Sequence, residues 1–284
     1  MKARQITGPD AHHGEGPVWS DTWRGLRWVD MLAGDVMTLD GASGEVTRTH
    51  VGSIAAVIRP RAGGGVVVAL EHSVAVADDE LHDIKTLAKV SDDPRLRFND
   101  GGCDPDGRFY CGSMAHDASQ GAGTLYCFSK DGSVSVTLES VTVSNGFGFS
   151  PDGMRAYYID SATQHIDIFD YEPEHGLTFR RPWVEISVDA GIPDGLAVDS
   201  ENGVWVAMFG GSAVRRYDDS GHLDAIVELP VSQVTACAFG GDTFDSLYVT
   251  TSQQGIDPGS QPAAGSVFMV DASVRGMPPL PFGR

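Results

Sequence analysis

Asp104-Pro105-Asp106-Gly107-Arg108-Phe109-Tyr110-Cys111-Gly112-Ser113-Met114 reads as a tight turn feeding a buried strand. Proline presets the φ of a turn, glycine supplies its left-handed residue, and aspartate bonds the backbone of its own turn. The segment from Phe109 is apolar or small, as a half-buried strand requires. The same unit recurs along the chain. Comparable segments begin at Leu26 (LRWVD), Val66 (VVVAL), Phe109 (FYCGSM), Ala156 (AYYID), Val204 (VWVAMF) and Leu247 (LYVTTS). Successive starts are 40, 43, 47, 48 and 43 residues apart. Their mean of about 44 falls in the ~40–50 residues that one four-stranded propeller blade occupies.

Turn signals keep phase with these segments. Ser150-Pro151-Asp152-Gly153 precedes the fourth, and Asp199-Ser200-Glu201-Asn202-Gly203 precedes the fifth. A second strand and a second polar turn follow, as at Phe128-Ser129-Lys130-Asp131-Gly132 and Tyr217-Asp218-Asp219-Ser220-Gly221. Amphipathic helices are scarce; Asp78 to Lys89 reads equally as a turn of helix or as strand-turn-strand. Six segments fill the chain without a linker. The expectation is an all-β fold, a six-bladed β-propeller forming one domain over 1–284.

Composition narrows the function classes. The chain has 284 residues, of which 41% are hydrophobic, with 35 glycines and a net charge of −19. So acidic a surface repels phosphate backbones and anionic lipid, so neither nucleic acid nor a membrane is an expected partner. No apolar run approaches the ~20 residues that span a bilayer, and MKARQITGPD contains no apolar signal core. The four cysteines form no CxxC pair and read as reduced core thiols of a cytoplasmic protein.

The repeat also predicts a site. In a propeller, the approach to each innermost strand lies at a mouth of the central channel, so equivalent positions converge. Taking the apolar segments as these innermost strands and counting back 10 or 11 residues gives Glu15-Gly16, Asn99-Asp100-Gly101, Asn145-Gly146 and Asp194-Gly195. The other two blades carry Ser53 and Thr235-Ala236-Cys237 there. One such stretch is an ordinary turn. Four in register are another matter, because segments such as Ile192-Pro193-Asp194-Gly195-Leu196 place an acid among apolar residues. Buried carboxylates are costly and repel one another unless a cation sits between them. All-oxygen donors suit Ca²⁺, Mg²⁺ or Mn²⁺, and carboxylates also bind Zn²⁺.

The residues resemble the senescence marker protein/gluconolactonase family, the regucalcin-like sugar lactonases. The likeness is carried by Gly14-Glu15-Gly16-Pro17-Val18-Trp19, Arg97-Phe98-Asn99-Asp100-Gly101, Ser144-Asn145-Gly146 and Ile192-Pro193-Asp194-Gly195. Cys237-Ala238-Phe239-Gly240-Gly241 and Leu247-Tyr248-Val249-Thr250 extend it nearly end to end. The resemblance implies a metal-dependent lactonase with one divalent ion, Ca, Zn, Mg or Mn, in the channel. It makes Glu15, Asn145 and Asp194 the ligands, with Asn99 a fourth ligand or a substrate contact. Arg97 and Asn99 would hold substrate hydroxyls, and Asp194 would double as general base. Arg97 rests on the resemblance alone. Asp117, after Gly112-Ser113-Met114, would take the place of an acidic substrate contact, and the loop 115–122 would select the sugar.

The expected partner is a small sugar lactone, and the protein a monomer or dimer. Two other readings stay open. One is a metal-dependent esterase acting on organophosphates or non-sugar lactones, since fold alone does not choose a chemistry. The other is a non-enzymatic calcium-binding protein. No GxSxG elbow or HExxH motif is present. His12, His13 and His116 remain open as ligands, acid–base groups or packing residues. Asp104–Gly107 lacks the rest of a calcium loop, and Cys111 and Cys127 read as core thiols.

Overall fold

The computed structural model describes residues 1–23 and 25–284. Among them the chain forms six four-stranded antiparallel sheets. The first blade is Gly14–Ser20, Gly25–Asp30, Asp35–Asp40 and Val46–His50. Four further blades follow in the same order. The sixth takes Val234–Gly240, Ser246–Thr251 and Phe268–Asp271, and borrows Arg4–Gln5 from the start of the chain as its outermost strand. The first strand of each blade packs on the first strands of its neighbours, and the last packs on the first. The fold is therefore the six-bladed propeller that the spacing predicts.

Strand position differs from the expectation in one respect. The six apolar segments are the second strands of the blades. The innermost strands are Gly14–Ser20, Ala55–Pro60, Leu96–Cys103, Ser144–Phe149, Ile192–Val198 and Val234–Gly240. The reason is burial. A second strand is covered on both faces by neighbouring blades, so Val66–Leu70 and Val204–Phe209 are almost wholly buried and read as unbroken apolar runs. An inner strand faces the channel and carries the polar and glycine residues.

The turns form as read. Asp104 Oδ1 accepts from the backbone N–H of Asp106 and Arg108, and Asp199 Oδ1 from those of Glu201 and Gly203. Between strands Ser73–Ala77 and Lys85–Lys89, Asp78 Oδ1 accepts from the N–H of Glu80 and His82. That stretch is strand-turn-strand. All four cysteines are buried and unpaired. Burial pushes the thiols of Cys103, Cys111 and Cys237 well up, away from thiolate chemistry. No helix among the described residues is long and apolar enough to cross a membrane.

A second tie crosses the ring, unmarked by the repeat. From Gly276, bridged to Asp199, the chain runs to Phe282, bridged to Arg61, and Gly283 donates its N–H to Gly107 O at 2.7 Å. This strap joins the fifth and sixth blades to the second and third. Its anchor is Phe282, 2% exposed, whose ring meets Phe109 edge-on at 6.5 Å. Phe282→Ala leaves a cavity at that anchor and should cost about 3 to 5 kcal/mol. Urea unfolding checks this: the midpoint should fall with little change in slope.

Candidate metal and substrate site

Every inner strand breaks register with its second strand near its start. The breaks fall between Glu15 and Val18, Ala55 and Val57, Phe98 and Gly101, Ser144 and Phe147, Pro193 and Leu196, and Val234 and Ala236. Such bulges bend a strand and re-aim its side chains. Glu15, Asn99, Asn145 and Asp194 thus stand at bulges inside strands, where the sequence had suggested loops. Their glycines serve close approach. A Cβ on Gly146 would lie 2.7 Å from Asp194 O, and one on Gly195 would lie 2.5 Å from the Ala236 Cβ. Neither residue has positive φ, so contact between blades explains both.

The bulge residues form one buried group. Glu15, Asn99, Asn145 and Asp194 are 5–6% exposed. The carboxyls of Glu15 and Asp194 are pushed well above the usual carboxylate range, first by burial and then by other acids: Asp194 and Asp100 around Glu15, Asp100 around Asp194. Arg97 and nearby amides pull the other way. Asn145 donates through Nδ2 to Ser161 Oγ at 3.0 Å, and Ser161 Oγ in turn donates to Pro193 O at 2.7 Å. That leaves Asn145 Oδ1 buried without a donor, as Asp194 Oδ1 is also. Two orphaned oxygens, one of a carboxamide and one of an acid, beside the buried acid Glu15 fit a hard cation. No three His, Cys, Asp or Glu side chains gather as a metal site among the described residues; here a carboxamide supplies one donor.

Arg97 is 8% exposed and adjoins this group. Its Nη1 donates to Asn99 Oδ1 at 2.6 Å, Phe98 O at 3.0 Å and Met31 Sδ at 3.1 Å. Asn99 in turn donates to Ser144 O at 2.8 Å. The Asn99 oxygen is therefore engaged by Arg97, unlike that of Asn145. Among the described residues, Nε and Nη2 of Arg97 make no hydrogen bond. Asp117 lies apart. It is exposed, and Oδ1 accepts from Ser119 N at 3.0 Å and Oγ at 2.6 Å. His116 Nε2 lies 3.7 Å from Glu71 Oε1, and Ser53 donates to Glu71 Oε2 at 2.5 Å. Thr235, at the site phase of the last blade, is spent on Gly14 O and Thr250 Oγ1.

Two residues that the sequence named without assigning a role, Asp100 and His13, belong to the group. Asp100 is buried, its carboxyl pushed up by burial and held down by Arg59, whose Nη2 is 3.6 Å away. His13 is 6% exposed; burial, then Arg97, pushes its pKa down to about 3, so the ring is neutral. The signal for Asp100 was its place in the bulge phase, and for His13 its nearness to Glu15 in sequence. A cavity of about 350 Å³ lies elsewhere. It lies toward the far ends of the inner strands, lined by Trp19, Phe147, Phe149, Leu196 and Phe239 and by the strap at Met277–Leu280.

The family model for the SMP-30/Gluconolactonase/LRE-like region matches residues 13–253, a span that contains every buried member of this group. The chain belongs to that family. Regucalcin of Sus scrofa is 33% identical over 294 residues, covering 99% of this chain and 98% of the relative. Among solved SMP-30/gluconolactonase-like structures, the calcium-binding protein regucalcin of Agrobacterium tumefaciens has TM-score 0.93 at 26% identity, over 100% of this chain and 98% of that one. A luciferin-regenerating enzyme has TM-score 0.92 at 28% identity, over 99% of both chains.

The electrostatics of this family member predict a pH effect. In protein stripped of divalent ions, the raised pKa values of Glu15 and Asp194 mean that the folded chain keeps protons the unfolded chain releases. Their contribution to stability is greatest below the unfolded carboxylate range of about 4 and is lost as pH rises through the folded values. Asp194→Asn removes one like charge. In chelator it should melt above wild type at pH 7, with the gap closing toward about pH 4. Circular dichroism melts at both pH values read this directly.

Proposed function

We propose that the chain is a divalent-metal-dependent hydrolase that opens sugar lactones. The observation that carries this is the pair of orphaned oxygens, Asn145 Oδ1 and Asp194 Oδ1, buried in a group with Glu15 and the Arg97–Asn99 donor pair. Glu15, Asn145 and Asp194 are the proposed ligands. Family membership supports the activity, and the calcium-binding relative makes Ca²⁺ the first ion to test ahead of Zn²⁺, Mg²⁺ and Mn²⁺. A bound divalent ion would supply a Lewis acid for the lactone carbonyl and the charge that keeps both carboxylates ionised.

The chain's own residues supply the rest. Arg97, with Nε and Nη2 free, and the Asn99 amide it grips orient the substrate hydroxyls. Asp194 takes a proton from the water that attacks the carbonyl carbon. As the ring ester bond breaks, the departing oxygen takes that proton and leaves as a hydroxyl, giving the open hydroxy acid. Asp117, on the exposed turn after the second strand of its blade, is the proposed acidic contact for a distal hydroxyl.

Asp194→Ala should lower kcat on an aldonolactone by about 10²-fold or more, with the melt showing a folded protein. Arg97→Met should act mainly on KM. Chelation should abolish turnover, and one of the four ions should restore it. An assay panel of aldonolactones, aryl esters and phosphotriesters reads the substrate class. Undiminished lactone opening by Asp194→Ala, or by chelated protein, overturns the proposal.

A further inference from the structure

The residue after the second strand of each blade forms another ring: Met31, Glu71, His116, Ser161, Gly210 and Ser252. Several of these hold a site residue. Met31 Sδ accepts from Arg97, and Ser161 Oγ accepts from Asn145 Nδ2 and so leaves the buried Asn145 Oδ1 without a partner. Ser252 does the same for His13, whose Nδ1 lies 2.8 Å from its Oγ. The rest of His13 is equally fixed. Its N–H donates to Asp30 Oδ1 at 3.0 Å, its carbonyl accepts from Met31 N at 2.9 Å, and Arg48 braces Asp30 at 3.0 Å.

One group on His13 remains. Nε2 faces Glu15 Oε1 at 3.6 Å, and no side-chain hydrogen bond holds Glu15 among the described residues. The nearer partner of Ser252 favours one placement of the protons. Ser252 Oγ accepts from Gln254 N at 2.9 Å, so its own proton goes to a neighbour. His13 Nδ1 at 2.8 Å is nearer than His12 O at 3.3 Å. With Nδ1 accepting, the ring proton is on Nε2 and points at the carboxylate.

We propose that His13, held in the Nε2–H tautomer by Ser252, is a positioning residue that orients the Glu15 carboxylate toward the ion. At 3.6 Å the contact is dipolar, beyond the ~3.2 Å limit of a hydrogen bond, and it acts on Glu15 rather than on substrate. The inference rests on the metal reading above and extends it to a residue outside the ligand set. A neutral ring donor suits the task, because it stabilises the carboxylate without competing with the cation for charge balance.

The test is calorimetric titration of Ca²⁺, then Zn²⁺, into metal-free wild type, His13→Phe, His13→Gln and Ser252→Ala, with a melt for each. Phenylalanine keeps the ring's packing without its proton; glutamine keeps a donor. Loss of an outer partner of a metal ligand weakens binding roughly 10- to 100-fold, and a dipolar contact corresponds to the lower end, about 10-fold. That loss is expected for His13→Phe, with recovery toward wild type in His13→Gln and a smaller loss in Ser252→Ala. Ring ¹⁵N shifts of wild type loaded with the ion that binds should show the Nε2–H tautomer, and this reading needs no variant to fold. Equal affinity in wild type and His13→Phe, or an Nδ1–H ring, overturns the inference alone. A folded wild type that binds neither ion overturns it together with the metal reading.

Discussion

Adjacent inner strands meet at the channel too closely to admit a methyl group at Gly146 or Gly195. The rest of the site depends on that contact. It brings the fourth blade onto the fifth and the fifth onto the sixth at the level where each inner strand bulges. A bulge carries an unpaired residue whose side chain needs a direction. At Asn145 and Asp194 the neighbouring glycine leaves backbone against backbone on one side, and the polar side chain is gathered with Glu15. Closing the ring and assembling the polar cluster are thus one packing event, although its members are far apart in sequence.

The cluster strains the fold that makes it. Asp100 has Arg59 within 3.6 Å, whereas Glu15 and Asp194 share only Arg97, which is already committed to Asn99. A buried, unpaired carboxylate costs several kcal/mol, more than a typical hydrogen bond returns. The ring must absorb that cost elsewhere. It does so in apolar second strands covered on both faces, and in two ties across the blade order. Arg4–Gln5 completes the last blade, and the strap anchored by Phe282 binds that side of the ring to the second and third blades. A site held under electrostatic repulsion needs a scaffold closed in this way.

Much of this was legible in the sequence. The spacing of about 44 residues gave the blade count, because second strands must be apolar and turns must carry Gly, Asn or Asp. Taking those segments as the channel lining was an error of one strand. It did no harm to the site, since one hairpin separates inner from second strand in every blade and a constant offset preserves the phase. Inner strands hide because their glycines and polar residues look like loops. Arg4–Gln5 and the strap hide because neither repeats. Asp100 was visible only as part of a turn-like Asn-Asp-Gly. His13 stayed among open alternatives because its meaning comes from Ser252, which only the ring closure brings beside it.

The ring of residues that follows the second strands divides by task. Met31, Ser161 and Ser252 are spent on Arg97, Asn145 and His13. Glu71 and His116 hold only each other and Ser53, with 30% and 43% of their side chains exposed. Asp117 follows His116 on the same exposed turn. Glu71 of the second blade and His116 and Asp117 of the third thus present polar groups that the buried cluster does not use, on the face where the inner strands begin. The strap and the aromatic cavity stand at the opposite ends of those strands. In the proposed function, changes on that turn would alter substrate contacts without touching Glu15, Asn145 or Asp194. In the proposed reading, the buried bulge cluster serves the ion, and the exposed turn of the third blade serves the substrate.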